Sequence, residues 1–218
     1  QFIRKKLLEK SCGDGNILVA VVQRYIDDCR ENGLSRTRIK NGLEKDIYGL
    51  EIDGKQHKKC IRNLDEVLER NNIKKVNWKI YKKDYLRWNE NIEFQYIVGN
   101  PPYIKYSELK KKEQLYVKNN FETCVKGKFD YCYAFIEKSI SALADDGKMS
   151  YLIPSSIFKT VFGKKLRIYM RPYISEIKDY TQEKIFDKAL VKSSIMVLDK
   201  QRQENILHYR DMTLSTQI

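Results

Sequence analysis

Metal ligation and cross-linking have little raw material in this 218-residue chain. Its two histidines, His57 and His208, stand far apart, and its five cysteines (Cys12, Cys29, Cys60, Cys124, Cys132) contain no Cys-x-x-Cys pair. Zinc binding at motif spacing is disfavoured, and an odd cysteine count argues against a disulfide framework. Free thiols in a reducing compartment are the expectation. No apolar run approaches the roughly eighteen residues that a membrane span needs. There is no signal-peptide pattern, internal repeat, low-complexity tract or linker.

Positive charge is plentiful. The chain carries 42 Lys and Arg against 29 Asp and Glu, a net charge of +13. Such a balance suits a polyanionic partner, most plausibly nucleic acid, although a merely solvated basic surface gives the same composition. Fifteen tyrosines and eight phenylalanines suit either base stacking or a core. The length fits one α/β domain with a sizeable core. The chain opens on Gln1 directly before a strand-like segment, so it reads as a piece of a longer protein.

Residues 2–9 predict a strand, followed by Glu9-Lys10-Ser11-Cys12-Gly13-Asp14-Gly15 and a helical pattern from Ile17 to Tyr25. A strand–glycine loop–helix unit lets backbone approach a ligand at a positive helix end; a plain helix-entry turn looks the same. Residues 32–45 read as a polar surface excursion. A second strand over 47–53 ends in carboxylates, and Glu51 at its tip is either a ribose-hydroxyl ligand or a solvated acid. Residues 55–71 form an amphipathic helix. A third strand, 77–81, leads to Asp84-Tyr85, where Asp84 could equally be a capping residue. The basic run 105–120 is a solvated helix face or a phosphate contact. Asp130 caps a helix with Phe129, Tyr133, Ile136, Ile140 and Leu143 on one stripe. Asp145-Asp146-Gly147 is a turn, and strands follow over 148–153, 174–180 and 193–198.

The chain is organised around Ile97-Val98-Gly99-Asn100-Pro101-Pro102-Tyr103. Prolines supply no ladder N–H and restrict the residue before them, so the fourth strand (94–98) must stop at Asn100. The turn displays an amide, a carbonyl and an aromatic ring at the carboxyl end of a strand, where open α/β sheets bind ligands. An exocyclic purine amine is a poor nucleophile because its lone pair is delocalised into the ring. Asn100 Oδ1 and the Pro101 carbonyl could each accept one amine hydrogen, favouring the pyramidal form that attacks a sulfonium methyl. Tyr103 could stack on an extruded base. The bland alternative is a Pro-rich turn with a surface tyrosine.

Asn-Pro-Pro-Tyr is the signature of amino-group methyltransferases, and its surroundings resemble the TaqI-like adenine-N6 DNA methyltransferases of restriction–modification systems. The resemblance spans roughly residues 6–199. It implies a Rossmann-like S-adenosylmethionine-dependent fold: a mostly parallel seven-stranded sheet with helices on both faces and one late antiparallel strand. It implies that Cys12, Gly13 and Gly15 cradle the methionine portion of S-adenosylmethionine, although Lys10 stands where the family carries proline. Glu51 would hold the ribose, Asp84 and Tyr85 the adenine, and Asn100 would lie beside the cofactor. Phe186 would pack on the target adenine with Tyr103. The catalytic set would be Asn100, Pro101, Pro102 and Tyr103, with direct methyl transfer and no metal. Residues 1–200 would be the catalytic domain, and 201–218 a tail leading toward a target-recognition domain. The implied partner is double-stranded DNA, with a restriction endonuclease or target-recognition domain in the same polypeptide or system, in a prokaryotic cytoplasm. RNA adenine, a protein glutamine amide, N4 of cytosine, and a non-catalytic binding subunit are the competing readings.

Overall fold

Short apolar strands alternate with helices through the first hundred residues, and the spacing of the apolar residues explains the packing. The structure, a computed structural model, describes residues 2–181, 192–202 and 207–212. The chain divides into two units, one ending at Gly99 and the other beginning at Asn100.

In the first unit, β1 (Leu7–Glu9), β2 (Ile47–Leu50), β3 (Lys79–Tyr81) and β4 (Phe94–Gly99) form a parallel sheet in the order β3-β2-β1-β4. Helix α1 (Asn16–Glu31) buries Leu18, Val22, Tyr25, Ile26 and Cys29, a spacing that lines one helical face. Helix α3 (Gly54–Arg70) buries Cys60, Leu64, Val67 and Leu68, and Asp53 caps it by accepting the N–H groups of Lys55 and Gln56, both at 2.8 Å. These faces join Leu7, Ile47 and Ile80 of the sheet in one core. Every residue of β1 and β2 is buried, as in parallel sheets covered on both sides.

The expected surface excursion over 32–45 is instead largely helix α2 (Arg36–Asp46). Ser35 caps it, accepting from Arg38 N, and Ile39 and Leu43, one turn apart, enter the core. Two apolar residues in a polar stretch suffice when they fall at i and i+4.

The second unit holds α4 (Lys111–Asn120), α5 (Cys132–Ala142), β5 (Leu143–Pro154), α6 (Lys164–Met170), β6 (Ile174–Asp179), β7 (Ser193–Asp199) and β8 (His208–Asp211). Its strands run β5-β7-β6-β8, with β7 antiparallel to both neighbours and β8 parallel to β6. Asp130, expected to cap α5, stands one residue before its N-cap position, Tyr131, and accepts the Cys132 N–H with Oδ1 at 3.0 Å. The predicted turn at 145–147 is part of β5, and Lys200 N donates to Gly147 O at 3.0 Å there. The polar tail supplies β8, so the described residues hold eight strands rather than seven. Tyr209 of β8 donates its hydroxyl to Asp179 Oδ2 at 2.8 Å. No helix among the described residues is long and apolar enough to cross a membrane.

Candidate functional site

The loop from β1 to α1 lies beside the end of β2, and its shape requires glycine. Gly13 and Gly15 take φ of +54° and +88°, and a Cβ on Gly15 would fall 2.7 Å from Cys60 Sγ. Position 15 therefore excludes side chains by conformation and by space. Cys12 N donates to Leu50 O at 3.0 Å, and Gly15 N donates to Cys12 O at 2.7 Å. Lys59 of α3 pairs with Asp14 at 2.9 Å. No side chain caps the amino end of α1.

Glu51 joins that loop. Its Oε2 accepts the Gly13 N–H and its Oε1 the Asp53 N–H, each at 2.8 Å, while its own N donates to Tyr81 O at 3.0 Å. Cys12, Gly13, Gly15 and Glu51 thus converge at the carboxyl ends of β1 and β2. Each Glu51 oxygen spends one acceptor position on backbone and keeps another. Cys12 and Cys60 are both buried, and their mutual hydrogen bond, with burial, raises the Cys12 thiol far above its usual range. Such a thiol is not a nucleophile.

Asp84 caps the 3-10 turn Tyr85–Arg87 by accepting Leu86 N at 2.9 Å, and it pairs with Arg87. Tyr85 is buried.

Two charged side chains that motif reading left without a role are among the most buried in the chain. Glu9 and Lys10 are each 2% exposed. Burial pushes the Glu9 carboxyl up to about 8 against the opposing pull of Lys10, and its Oε2 has no hydrogen-bond partner among the described residues. Gly99, at φ +149°, closes over them: a Cβ there would lie 3.5 Å from Glu9 Cγ and 3.6 Å from Lys10 Nζ. Glu9 ends a strand, and an acidic residue at that position before a glycine pair was the available signal.

Asn100 follows Gly99 directly. In the second unit Pro101 is buried, while Asn100, Pro102 and Tyr103 are partly exposed. Asn100 Oδ1 is shielded from solvent. The Tyr103 hydroxyl donates to Leu152 O at 2.7 Å, and burial raises its proton affinity well above an ordinary phenol's. That bond fixes the ring direction. Beyond it, Tyr131 N donates to Ile104 O at 2.9 Å and Tyr106 N to Phe129 O at 3.1 Å. Phe186 lies outside the described residues.

A cleft of about 720 Å³ opens elsewhere, bordered by Arg4, Arg38, Lys45 and Asp46. Arg4 precedes β1 and Asp46 precedes β2, so this cleft lies at the amino ends of those strands, opposite the glycine loop. Among the described residues no group of three or more His, Cys, Asp or Glu could hold a metal ion.

Known proteins resemble this chain in sequence and in fold. The Eco57I restriction-modification methylase family model matches residues 8–186. The type II methyltransferase M.BstVI of Geobacillus stearothermophilus is 28% identical over 86% of this chain, which spans 39% of that protein. A nuclease-deletion mutant of the type ISP restriction-modification enzyme LlaGI, in complex with a DNA substrate mimic, superposes with a TM-score of 0.74 at 17% identity, over 95% of this chain and 21% of that one. A Listeria monocytogenes structure assigned to the class I S-adenosylmethionine-dependent methyltransferases superposes at 0.65 and 19% identity, over 97% of this chain and 61% of that one. The fold is that of this class.

Proposed function

The chain belongs to the Eco57I restriction-modification methylase family, and from that premise we propose that it is the catalytic core of a DNA adenine-N6 methyltransferase. It would act on duplex DNA in a prokaryotic cytoplasm, with residues 1–200 as the catalytic part. A restriction endonuclease or target-recognition domain would accompany it in the same polypeptide or system. The observation that carries this reading is the order of features along one sheet edge. Strand β1 ends in the glycine loop, its parallel neighbour β2 ends in Glu51, and its other parallel neighbour β4 runs into Asn100-Pro101-Pro102-Tyr103.

The residues present fit S-adenosylmethionine. Glu9 Oε2 is a buried acceptor without a donor, suited to an ammonium. The uncapped amino end of α1 suits a carboxylate. The free acceptor capacity of Glu51 suits ribose hydroxyls, and Asp84 and Tyr85 would take the adenine. When bound, the cofactor supplies an activated methyl group.

The remaining chemistry belongs to the chain. Asn100 Oδ1 and the Pro101 carbonyl accept the two hydrogens of the target amine and localise its lone pair. Because Asn100 Oδ1 is shielded, the groups covering it must yield when the base enters. Exclusion of water from it then strengthens the bond it makes. Tyr103, aimed by its bond to Leu152 O, offers its face to the extruded base, and Phe186 would pack against the same base. The amine is itself the nucleophile, so no covalent enzyme intermediate is needed.

The test incubates the protein and labelled S-adenosylmethionine with duplex DNA, RNA and a glutamine-bearing protein in parallel. Label recovered as N6-methyladenine in DNA is expected. Label in N4-methylcytosine, RNA or protein glutamine would replace this reading.

A further inference from the structure

The segment that leaves the Asn-Pro-Pro-Tyr turn is basic far beyond the chain's average. Residues 105–128 contain seven lysines, three glutamates and no other charged residue. Lys105, Lys110, Lys111, Lys112, Lys126 and Lys128 are exposed. Some lysines elsewhere are matched with acids, as in Lys40–Glu44 and Lys148–Asp199 at 2.9 and 2.8 Å. Among the described residues none of these six lysines has an ion-pair partner.

Their position is electrostatically unfavourable for the fold. Lys110 is the residue before the first turn of α4 and does not cap it, and Lys111 and Lys112 begin that turn. The amino end of a helix carries partial positive charge and favours acids, so three consecutive lysines there are self-repelling. Glu113 is the acid of that first turn, and the three lysines before it add nothing to helix stability.

The segment is also held in place. The backbone of Lys105 pairs with that of Asp130 in an isolated antiparallel β-bridge, and Gln114 Nε2 donates to the Tyr106 and Leu109 carbonyls at 2.9 and 3.0 Å. Lys118 Nζ lies 4.6 Å from the centre of the Tyr106 ring, which packs edge-on against Phe129 at 5.0 Å. The lysines therefore stand on a braced platform that begins two residues after Tyr103. A flexible basic tail would be a different object.

We propose that this platform, led by Lys110, Lys111 and Lys112, grips the phosphate backbone of duplex DNA next to the extruded base. The proposal rests on the reading of the chain as a DNA methyltransferase and adds the surface that holds the substrate. Phosphate contacts position a duplex without reading its sequence, so the platform contributes affinity and salt dependence and leaves base selectivity to other parts.

The test measures binding of a mixed-sequence DNA duplex by anisotropy across a salt series. It compares the wild type with the Lys110→Ala/Lys111→Ala/Lys112→Ala variant and with an Arg36→Ala/Lys74→Ala/Lys75→Ala control of equal charge loss. If each of the three lysines neutralises one phosphate, the slope of log K against log salt becomes shallower by about 2.7 in the first variant. A fourfold rise in salt then costs the wild type about forty times more affinity than the variant. The control keeps the wild-type slope. An unchanged slope in the first variant overturns the proposal, and so does an equal loss in the control, which would mean net charge alone acts. Preference for a duplex RNA competitor overturns it as well. Methyl transfer to DNA with an unchanged slope would sink the platform and spare the catalytic reading. A shallower slope without any methyl transfer would do the reverse.

Discussion

Glu9→Gln should stabilise the fold in alkaline solution and do little in acid. The Glu9 carboxyl is held at about 8 in the folded chain against an ordinary 4.5, chiefly because burial penalises its charge, with Glu51 and Asp14 adding to the rise and Lys10 opposing it. A carboxyl raised on folding is bound to a proton in the folded state while the unfolded chain has already released its own. Stability therefore falls as pH rises from about 4.5 to about 8, and is level on either side of that window. At about 1.4 kcal/mol for each tenfold, the loss across the window is roughly 4–5 kcal/mol. Glutamine has the same shape and no charge to desolvate, so its stability should lack this part of the slope. Urea unfolding at pH 5, 7 and 9 measures it: the variant's advantage should grow by several kcal/mol from the first to the last. A difference between the two proteins that is constant with pH would refute the reasoning, because it would mean that Glu9 is ionised, or equally solvated, throughout.

Gly15→Ala should destabilise by roughly 2–5 kcal/mol in chemical denaturation, from its left-handed backbone and its overlap with Cys60. Adding Cys60→Ala should recover only part of that, since the backbone strain and the α3 main chain remain; full recovery would show that the φ angle carries no cost. Tyr103→Phe should cost about 1 kcal/mol in stability through the bond to Leu152 O, and it keeps the ring. Tyr103→Ala should weaken binding of a duplex bearing an unpaired target adenine roughly fivefold to a hundredfold, the range expected for one lost base–aromatic stack. Equal effects of the two substitutions would argue that the hydroxyl, and not the ring, is what matters.

How much of this was legible depended on whether the signal was local. The four strands of the first unit show as apolar runs, and α3 declares itself through Cys60, Leu64, Val67 and Leu68 with Asp53 in front. Helix α2 was hidden because Ile39 and Leu43 are the only apolar pair in a strongly polar stretch, and what makes them core is α1, not their neighbours in sequence. Asp145-Asp146-Gly147 has turn chemistry, yet β5 runs through it with Lys200 bonded to Gly147. Strand β8 is polar and exposed, and only its pairing with β6 defines it. At the site, the glycine loop and Glu51 were readable as separate motifs, but the Gly13–Glu51 bond that joins them was not. The burial of Glu9 and Lys10 was not readable where the strand meets the loop, because Gly99, which lies against both, is ninety residues away in sequence.

The most direct measurement is single-turnover transfer of labelled methyl to duplex DNA by the wild type and Asn100→Ala, with cofactor binding followed in parallel. Loss of one acceptor for the attacking amine should slow the chemical step by about a hundredfold to a thousandfold while the cofactor still binds. Transfer at the wild-type rate in Asn100→Ala would contradict the assignment of the turn as the catalytic centre.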